Sequence, residues 1–390
     1  MQIQELVREF QKLYGDGGEI RVFFAPGRVN LIGDHTDYNG GHVFPCALTL
    51  GTYAAVRVRN DRRVRLSSLN EEKGTIRETS LDDLVYRPDE GWISYIKGVL
   101  WSFSVRGNDI PFGFEILYSG TIPRKAGISS SSSLECVTAT AVRDLFDLAL
   151  NAVDLAVLSQ RAETRFMEKE CSIMDQFAAM LGKRGCGLFL TVSSMRYEYV
   201  PLTMGTVRIV IASSRIRHRR VAEVSEERRL ECQKALKKIQ VLANVIALGD
   251  LSTDAFANCK DVLMDETLVK RARHVVYENA RTIKAVNALR VKDLKRFGML
   301  MNESHASLRD DYEVSCDELD TLVAAAQGFS GCLGSRMTGA GFGGCTVSLV
   351  EDSVIPAFQD HLTGVYEEKF GIRPDFYIAD ADDGAREISF

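Results

Sequence analysis

Residues 26–38 read PGRVNLIGDHTDY, setting Arg28, Asp34, His35 and Asp37 around an apolar VNLIG centre. A surface loop needs no apolar middle, and a buried strand seldom accepts two carboxylates and a histidine. The stretch therefore reads as a core strand that delivers a polar cluster to one place. Ahead of it, EIRVFFAPG predicts a strand ending at Pro26–Gly27. Further upstream, Ile3, Leu6, Val7, Phe10, Leu13 and Tyr14 share one face of a helix over 3–14 that Gly15 stops. Downstream, GGHVFPCALTLGTYAAVRVRN has the alternation of paired strands.

From Ser133 the period changes. SLECVTATAVRDLFDLAL spaces its apolar residues helically behind a serine suited to an N-cap. VDLAVLSQRAETRF and IMDQFAAMLG predict further helices, and CGLFLTVSS and YEYVPL separate them from a second half richer in helix. There SEERRLECQKALKKIQVLANVIAL and ETLVKRARHVVYENARTIKAVNALR are long and amphipathic. No internal repeat and no Pro-, Gly- or Ser-rich linker interrupts the chain. The pattern predicts a mixed α+β protein of two closely packed domains, divided near residue 200 into 1–200 and 201–390.

A chain of 390 residues can bury its cores without disulfides or metal. Its net charge of −5 argues against a general nucleic-acid binder, and the basic RIRHRR at 215–220 is diluted by the EVSEER that follows. No apolar run has membrane-spanning length, and MQIQELVREF lacks the basic-then-apolar form of a signal peptide. Nine cysteines, scattered and without a C-x-x-C pair, fit reduced thiols in a cytoplasm better than disulfides or a zinc site. The expectation is a cytoplasmic protein with no nucleic-acid or membrane partner.

Three further stretches carry chemistry. RKAGISSSSSLE, residues 124–135, follows a β-like segment and feeds a strong helix. Small residues there let backbone N–H groups crowd together, the helix start attracts anions, and Arg124 and Lys125 add charge. It reads as a phosphate cradle, although it is not a Walker A loop. TGAGFGGCTVSLV formally contains G-x-G-x-x-G at Gly339, Gly341 and Gly344, but a strand and not a helix follows. That leaves a glycine-rich β-turn or a close backbone approach to a ligand. In ETRFMEKECSIMDQF, Asp175 is flanked by Ile173, Met174 and Phe177, and alone would read as a structural aspartate.

Together these pieces resemble the galactokinases, within the larger family of small-molecule kinases that includes homoserine, mevalonate and phosphomevalonate kinases. GRVNLIGDHTDYNGGHVFPCA resembles the galactokinase signature, AGISSSSSLE the nucleotide loop and GSRMTGAGFGGC the third motif. WISYIKGV, IMDQF and MNESHASLRDDYEVS fall in the expected order. The resemblance implies an ATP- and magnesium-dependent kinase acting on the anomeric hydroxyl of a galactose-type sugar. It implies a two-domain fold: a ribosomal-protein-like first domain with a left-handed crossover, a ferredoxin-like second, and the active site between them. By the same resemblance Asp175 would take the hydroxyl proton, and Arg28 would lie against it and stabilise the transferring phosphoryl group. Asp34, His35, Thr36, Asp37 and Ser225 would line the sugar site. Ser68 and the loop Lys125, Ala126, Gly127, Ile128, Ser129, Ser130 and Ser131 would hold ATP, with Ser131 and Glu163 on magnesium. A monomer or weak oligomer is expected.

The chain departs from the family pattern near the sugar. Asp34 stands where Glu is usual, Ser225 where a sugar-contacting Tyr is usual, and Ser172 where Gly precedes IMDQF. Glu168 and Lys169 replace small or apolar residues, Lys125 a glycine and Ser132 an alanine. Ser225 also reads as an N-cap for SEERRLECQKAL. Shorter side chains at 34 and 225 imply a roomier, less acidic pocket near the sixth carbon. With a cation from Lys169 or from Arg215–Arg220, that pocket would suit galacturonate. The sequence also admits a sugar and ATP sensor with weak catalysis, for which Lys125 is the argument, and a mevalonate or homoserine kinase, against which HTDYNGG speaks. Galactose is the default substrate.

Overall fold

The computed structural model describes residues 3–71, 74–122, 127–217 and 221–390. Its strands, in chain order, are β1 (Arg21–Asn30), β2 (His42–Val43), β3 (Pro45–Val58), β4 (Arg63–Ser68), β5 (Arg77–Ser80), β6 (Phe114–Gly120) and β7 (Cys186–Thr191). They continue as β8 (Arg196–Pro201), β9 (Val207–Arg217), β10 (Cys332–Thr338), β11 (Gly343–Glu351), β12 (Asp375–Ala379) and β13 (Arg386–Glu387). The helices of the first half are α1 (Ile3–Tyr14), α2 (Ile93–Val105), α3 (Ser130–Leu145), α4 (Ala152–Arg161) and α5 (Met174–Leu181). Those of the second are α6 (Val221–Ile239), α7 (Thr253–Cys259), α8 (Glu266–Arg290), α9 (Leu294–Asp310), α10 (Asp317–Gln327) and α11 (Ile355–Phe370).

Among the described residues the first half, joined by β13 from the end of the chain, builds a sheet of order β13-β1-β3-β6-β4-β5, in which β4 and β6 run parallel and the other pairs antiparallel. Helices α2, α3, α4 and α5 cover one face, burying Phe103, Val137, Leu155 and Phe177 against Phe23, Val56 and Ile116. The second half runs β9, helices, β10, β11, α11, β12, with sheet order β10-β11-β9-β12. That is the split βαβ, ferredoxin-like arrangement. The two halves share a core: Val29, Leu31 and Phe44 pack with Ile209, Phe297 and Val347.

Three elements differ from expectation. β1 does not stop at Pro26–Gly27 but continues to Asn30, with a register shift between Pro26 and Arg28 opposite β3. The surplus residues lie on β3, since two steps along β1 from Pro26 to Arg28 span four along β3 from Gly51 to Ala47, and pairing resumes beyond them. α3 begins at Ser130, not behind Ser133, because the Ser133 hydroxyl is turned inward to the Ala25 carbonyl at 2.7 Å and to Thr52. α6 begins at Val221, so Ser225 lies inside it and caps nothing; its buried positions Val221, Arg228, Cys232, Ala235 and Ile239 keep helical spacing back to the start.

Candidate active site

Arg28, the first residue of β1 past the register shift opposite β3, reaches the first turn of α5. Its Nε lies 2.7 Å from Asp175 Oδ1, and its Nη1 donates to the Gly127 carbonyl at 3.0 Å. The other oxygen of Asp175 accepts from the Ser129 hydroxyl at 2.5 Å. Ser129 stands in the left-handed region (φ 59) immediately before α3, and its side chain leaves the helix uncapped in order to reach the carboxylate. One carboxylate thus joins β1, α5 and the serine loop. A Cβ on Gly27 would meet the Ile128 carbonyl at 2.7 Å, so only glycine lets the loop dock so closely on the strand.

Gly127 is exposed, Ile128 is buried, and Ser130 and Ser131 open α3, where free N–H groups and the helix dipole favour an anion. Ser68 ends β4 opposite Tyr118, its hydroxyl accepting from Asn70 N–H, while the Asn70 amide pairs with both backbone groups of Gly120. Lys125 and Ala126 lie outside the described residues. The glycine-rich stretch is a hairpin turn between β10 and β11, and a Cβ added at Gly339 would lie 3.4 Å from the Gly127 carbonyl oxygen. A close backbone approach opposite the serine loop is what the turn provides.

The signature turn after β1 is held mainly by the second half of the chain. Asp34 is almost fully buried; Oδ1 accepts from Asn30 Nδ2 at 3.0 Å and Oδ2 pairs with Arg336, a fully buried guanidinium on β10. Arg336 and Thr338 also donate to the Asn30 carbonyl, each at 3.0 Å. The Asp34 carbonyl accepts from His274 Nε2 at 3.1 Å, which fixes that tautomer and leaves Nδ1 to accept from Ser307. Burial pushes His274 down to about 3. Glu278, also on α8, accepts from Gly33 N–H and Ser304; burial works against its charge, but Arg281 and its other neighbours hold it below the ordinary carboxylate range.

His35 has φ 64, uncommon for a non-glycine residue, and burial lowers it to about 4, so its ring is neutral at neutral pH. Its Nδ1 meets the Tyr38 hydroxyl at 2.8 Å, which meets that of Tyr312 at 2.7 Å. Thr36 directs its hydroxyl to the Gly33 and His42 carbonyls, a turn-closing role. Asp37 is raised above the ordinary range, first by burial; a hydrogen bond from Ser172 counters this, while the charges of Asp34 and Asp175 add to it. Arg28, Asp34, His35, Asp37 and Asp175 therefore do converge.

Glu163 lies in a π turn (Ala162–Phe166) that continues α4, an irregularity often found where a side chain must be aimed. Burial first, then the Asp175 charge, raises it to about 7, while a hydrogen bond from Ser131 favours its charged form. Glu135, fully buried on α3, is pushed well above the ordinary range by burial and then by Glu163. Gln176 donates to Glu135 at 3.1 Å and reaches Glu163 at 3.5 Å.

Ser225 lies one helical turn before Arg228 and Arg229 on α6; Arg228 donates to the Tyr312 carbonyl, which sets this helix beside the tyrosine pair. Lys169 stacks 4.8 Å over the Tyr95 ring and bonds its hydroxyl, on the Glu163 side of the site. Arg215 lies beside Asp375; Arg219 and Arg220 fall outside the described residues. Sequence reasoning missed Arg336, Glu135 and the α8 pair His274 and Glu278. The usable signals were a lone arginine in the strand SRMT and a lone acid in the apolar helix SLECV.

Comparison with known proteins places these features. Residues 8–58 match the galactokinase galactose-binding signature, 94–183 the GHMP kinases N terminal domain and 284–367 the GHMP kinases C terminal. These matches and the fold define the class, a two-domain GHMP kinase. The chain is 48% identical to galactokinase of Clostridium beijerinckii, covering 99% of each. It superposes on the structure of Lactococcus lactis galactokinase complexed with galactose with a TM-score of 0.96 and 41% identity, covering 99% of this chain and 100% of that one. A mevalonate kinase structure (TM-score 0.64, 19% identity, 93% of this chain and 99% of that one) shares the fold alone. The chain belongs to the galactokinase family, sugar kinases that use ATP.

Proposed function

We propose that the chain transfers the γ-phosphoryl group of ATP to the anomeric hydroxyl of galactose, giving galactose 1-phosphate and ADP. Asp175 takes the hydroxyl proton as the sugar oxygen bonds to phosphorus, and the bond to the bridging oxygen breaks with its electron pair leaving on ADP. Arg28 stabilises negative charge on the transferring group. Asp37 and His35 contact the sugar, Asp34 holds their turn through Arg336, and Thr36 closes it. Ser225 lies on the helix flanking that pocket. Ser68 and the loop from Lys125 to Ser131 hold the nucleotide. The observation that carries this reading is that Arg28 and the loop residue Ser129 grip the two oxygens of one carboxylate. A proton acceptor and a phosphate cradle meet there, and phosphoryl transfer needs positioning and charge neutralisation above all.

Magnesium is the ion we propose to accompany ATP. Glu163, on the π turn after α4, and Ser131, in the first turn of α3, offer hard oxygen donors and would hold it. Magnesium bound chiefly by phosphates and water needs no cage of three side chains, and none forms among the described residues. When bound it neutralises phosphate charge. Of the cations weighed for galacturonate, Lys169 stacks on Tyr95 and Arg215 lies beside Asp375, Arg219 and Arg220 fall outside the described residues, and Arg336 is matched to Asp34. Galactose is the proposed substrate because residues 8–58 match the galactokinase galactose-binding signature and the chain is 48% identical to a galactokinase. A cytoplasmic, monomeric or weakly oligomeric protein divided near residue 200 belongs to the same reading; among the described residues no helix is long and apolar enough to cross a membrane.

The test is ADP release with magnesium and ATP on galactose and galacturonate, for the wild type and Asp175→Ala. Turnover of galactose, reduced at least about 100-fold in the variant, is expected. Preference for galacturonate would overturn the substrate, and an active Asp175→Ala the role of the carboxylate.

A further inference from the structure

The His35 ring, proposed to contact the sugar, has two nitrogens in unlike surroundings. Nδ1 lies 2.8 Å from the Tyr38 hydroxyl, whereas Nε2 is buried and has no hydrogen-bond partner among the described residues. The Ala340 carbonyl, itself only an acceptor, favours a proton on the ring but makes no hydrogen bond of acceptable geometry to Nε2. Behind Nδ1 the polar groups run on: the Tyr38 and Tyr312 hydroxyls are 2.7 Å apart, and the Cys232 sulfur on α6 is 3.3 Å from that of Tyr312. Tyr312, between α9 and α10, is fully buried, with its ring centroid 4.9 Å from that of His35. Arg228 holds the Tyr312 carbonyl at 2.8 Å and Asn39 the His35 carbonyl at 2.9 Å, so both ends of the series are fixed. Each hydroxyl has one proton, which gives the series a direction. A phenol oxygen accepts better than a sulfur, so Tyr312 donates to Tyr38 and the Cys232 thiol turns to Tyr312. The Tyr38 proton is then left for His35 Nδ1. Burial keeps this imidazole neutral at neutral pH, and a neutral imidazole carries one N–H, which falls on Nε2.

We infer that Tyr38 and Tyr312 are positioning residues for sugar recognition: their hydroxyls, bonded in series, fix His35 in the Nε2–H tautomer, so that its unpartnered nitrogen presents a donor to a sugar hydroxyl oxygen. The inference rests on the reading of His35 as a sugar contact. It gives a task to two tyrosine hydroxyls that phosphoryl transfer does not use. It also accounts for an imidazole nitrogen left buried and bare, a costly arrangement unless a ligand completes it. Through Tyr312 and Cys232 the second half of the chain then sets the hydrogen-bonding character of a residue in the first.

Proton–nitrogen correlation spectra of the imidazole rings read the tautomer directly, with the His35 signals assigned by their loss in His35→Asn. The wild type is expected to carry its proton on Nε2; a wild-type ring protonated on Nδ1 overturns the inference whatever the kinetics. In Tyr312→Phe the Tyr38 oxygen is free to accept, and part of the His35 population should move its proton to Nδ1. In steady-state kinetics Tyr38→Phe and Tyr312→Phe should each raise the galactose KM roughly three- to tenfold, the scale of one neutral hydrogen bond. The KM for ATP should change less than about twofold. His35→Asn tolerates the left-handed backbone but has no atom at the Nε2 position, and should raise the galactose KM at least as far. If it does so while both phenylalanine variants leave that KM unchanged, the inference fails and the reading of His35 stands. If those variants weaken galactose and ATP alike with the tautomer unmoved, the tyrosines only pack and the inference fails. If His35→Asn leaves the galactose KM unchanged, the reading of His35 fails and the inference with it.

Discussion

Asp34 has both oxygens engaged, by Asn30 and by a guanidinium that solvent does not reach. A pair so deep is stable only while both members are present, because removing one leaves a buried charge uncompensated. Arg336→Met should therefore lower the unfolding free energy by about 3–5 kcal/mol in urea titrations. A loss below about 1 kcal/mol would show that Asp34 finds another partner. Ser129 tests the opposite side of the site. Ser129→Ala removes one donor from Asp175 but leaves Arg28, so kcat should fall roughly tenfold, well short of Asp175→Ala. Equal losses in the two variants would mean that the hydroxyl, not Arg28, holds the carboxylate in place.

At the scale of elements, the strand that carries Arg336 is set by one close contact. α9 meets β10 at Gly298, where an added Cβ would lie 2.1 Å from the Leu333 carbonyl oxygen. Backbone cannot yield as a flexible side chain can, so Gly298→Ala must push the helix and strand apart. Overpacking of this kind costs about 1–3 kcal/mol. Thermal unfolding should register that loss, and the galactose KM should rise because Arg336 moves with β10. An unchanged melting temperature would show that the helix slides freely.

For the whole molecule, the last residues recross to the first half. β13 pairs with β1 at Phe23 and Phe24, Ile388 N–H bonds the Val22 carbonyl, and Arg21 grips Glu387 through two bonds of 2.8 Å. Deleting residues 384–390 uncovers that strand edge and should cost on the order of 3 kcal/mol, from several ladder bonds at ~1 kcal/mol each. A truncation as stable as the full chain would contradict this. The buried His274 sets a pH response. In the unfolded chain it takes up a proton below about pH 6.5, whereas in the fold burial holds it down to about 3. The unfolded state thus binds more protons across that interval, and stability falls as pH falls. Relative to His274→Gln, the wild type should lose about 2 kcal/mol between pH 7 and pH 5. Parallel curves for the two proteins would sink the assignment.

Much of this was legible in the sequence because it is local. Hydrophobic period predicted α1, α4, α5, α8 and the mixed α+β class, and spacing marked the serine loop, the glycine turn and the polar cluster of 26–38. The boundaries that failed did so where a distant group won. Ser133 turned inward to Ala25, and β1 ran on past Pro26 because β3 supplies the surplus residues of the register shift opposite it. The sequence by itself determined which chemistry is present, since residue type fixes donors, acceptors and charge. Only the tertiary structure decided which carboxylate is free to act. Asp34 and Asp37 lie three residues apart and look alike in the chain. Yet one is matched to Arg336, 302 residues away, and the other faces Ser172 and two like charges. Burial and ion pairing depend on distance in space, and no local pattern encodes which remote side chain will fill that space.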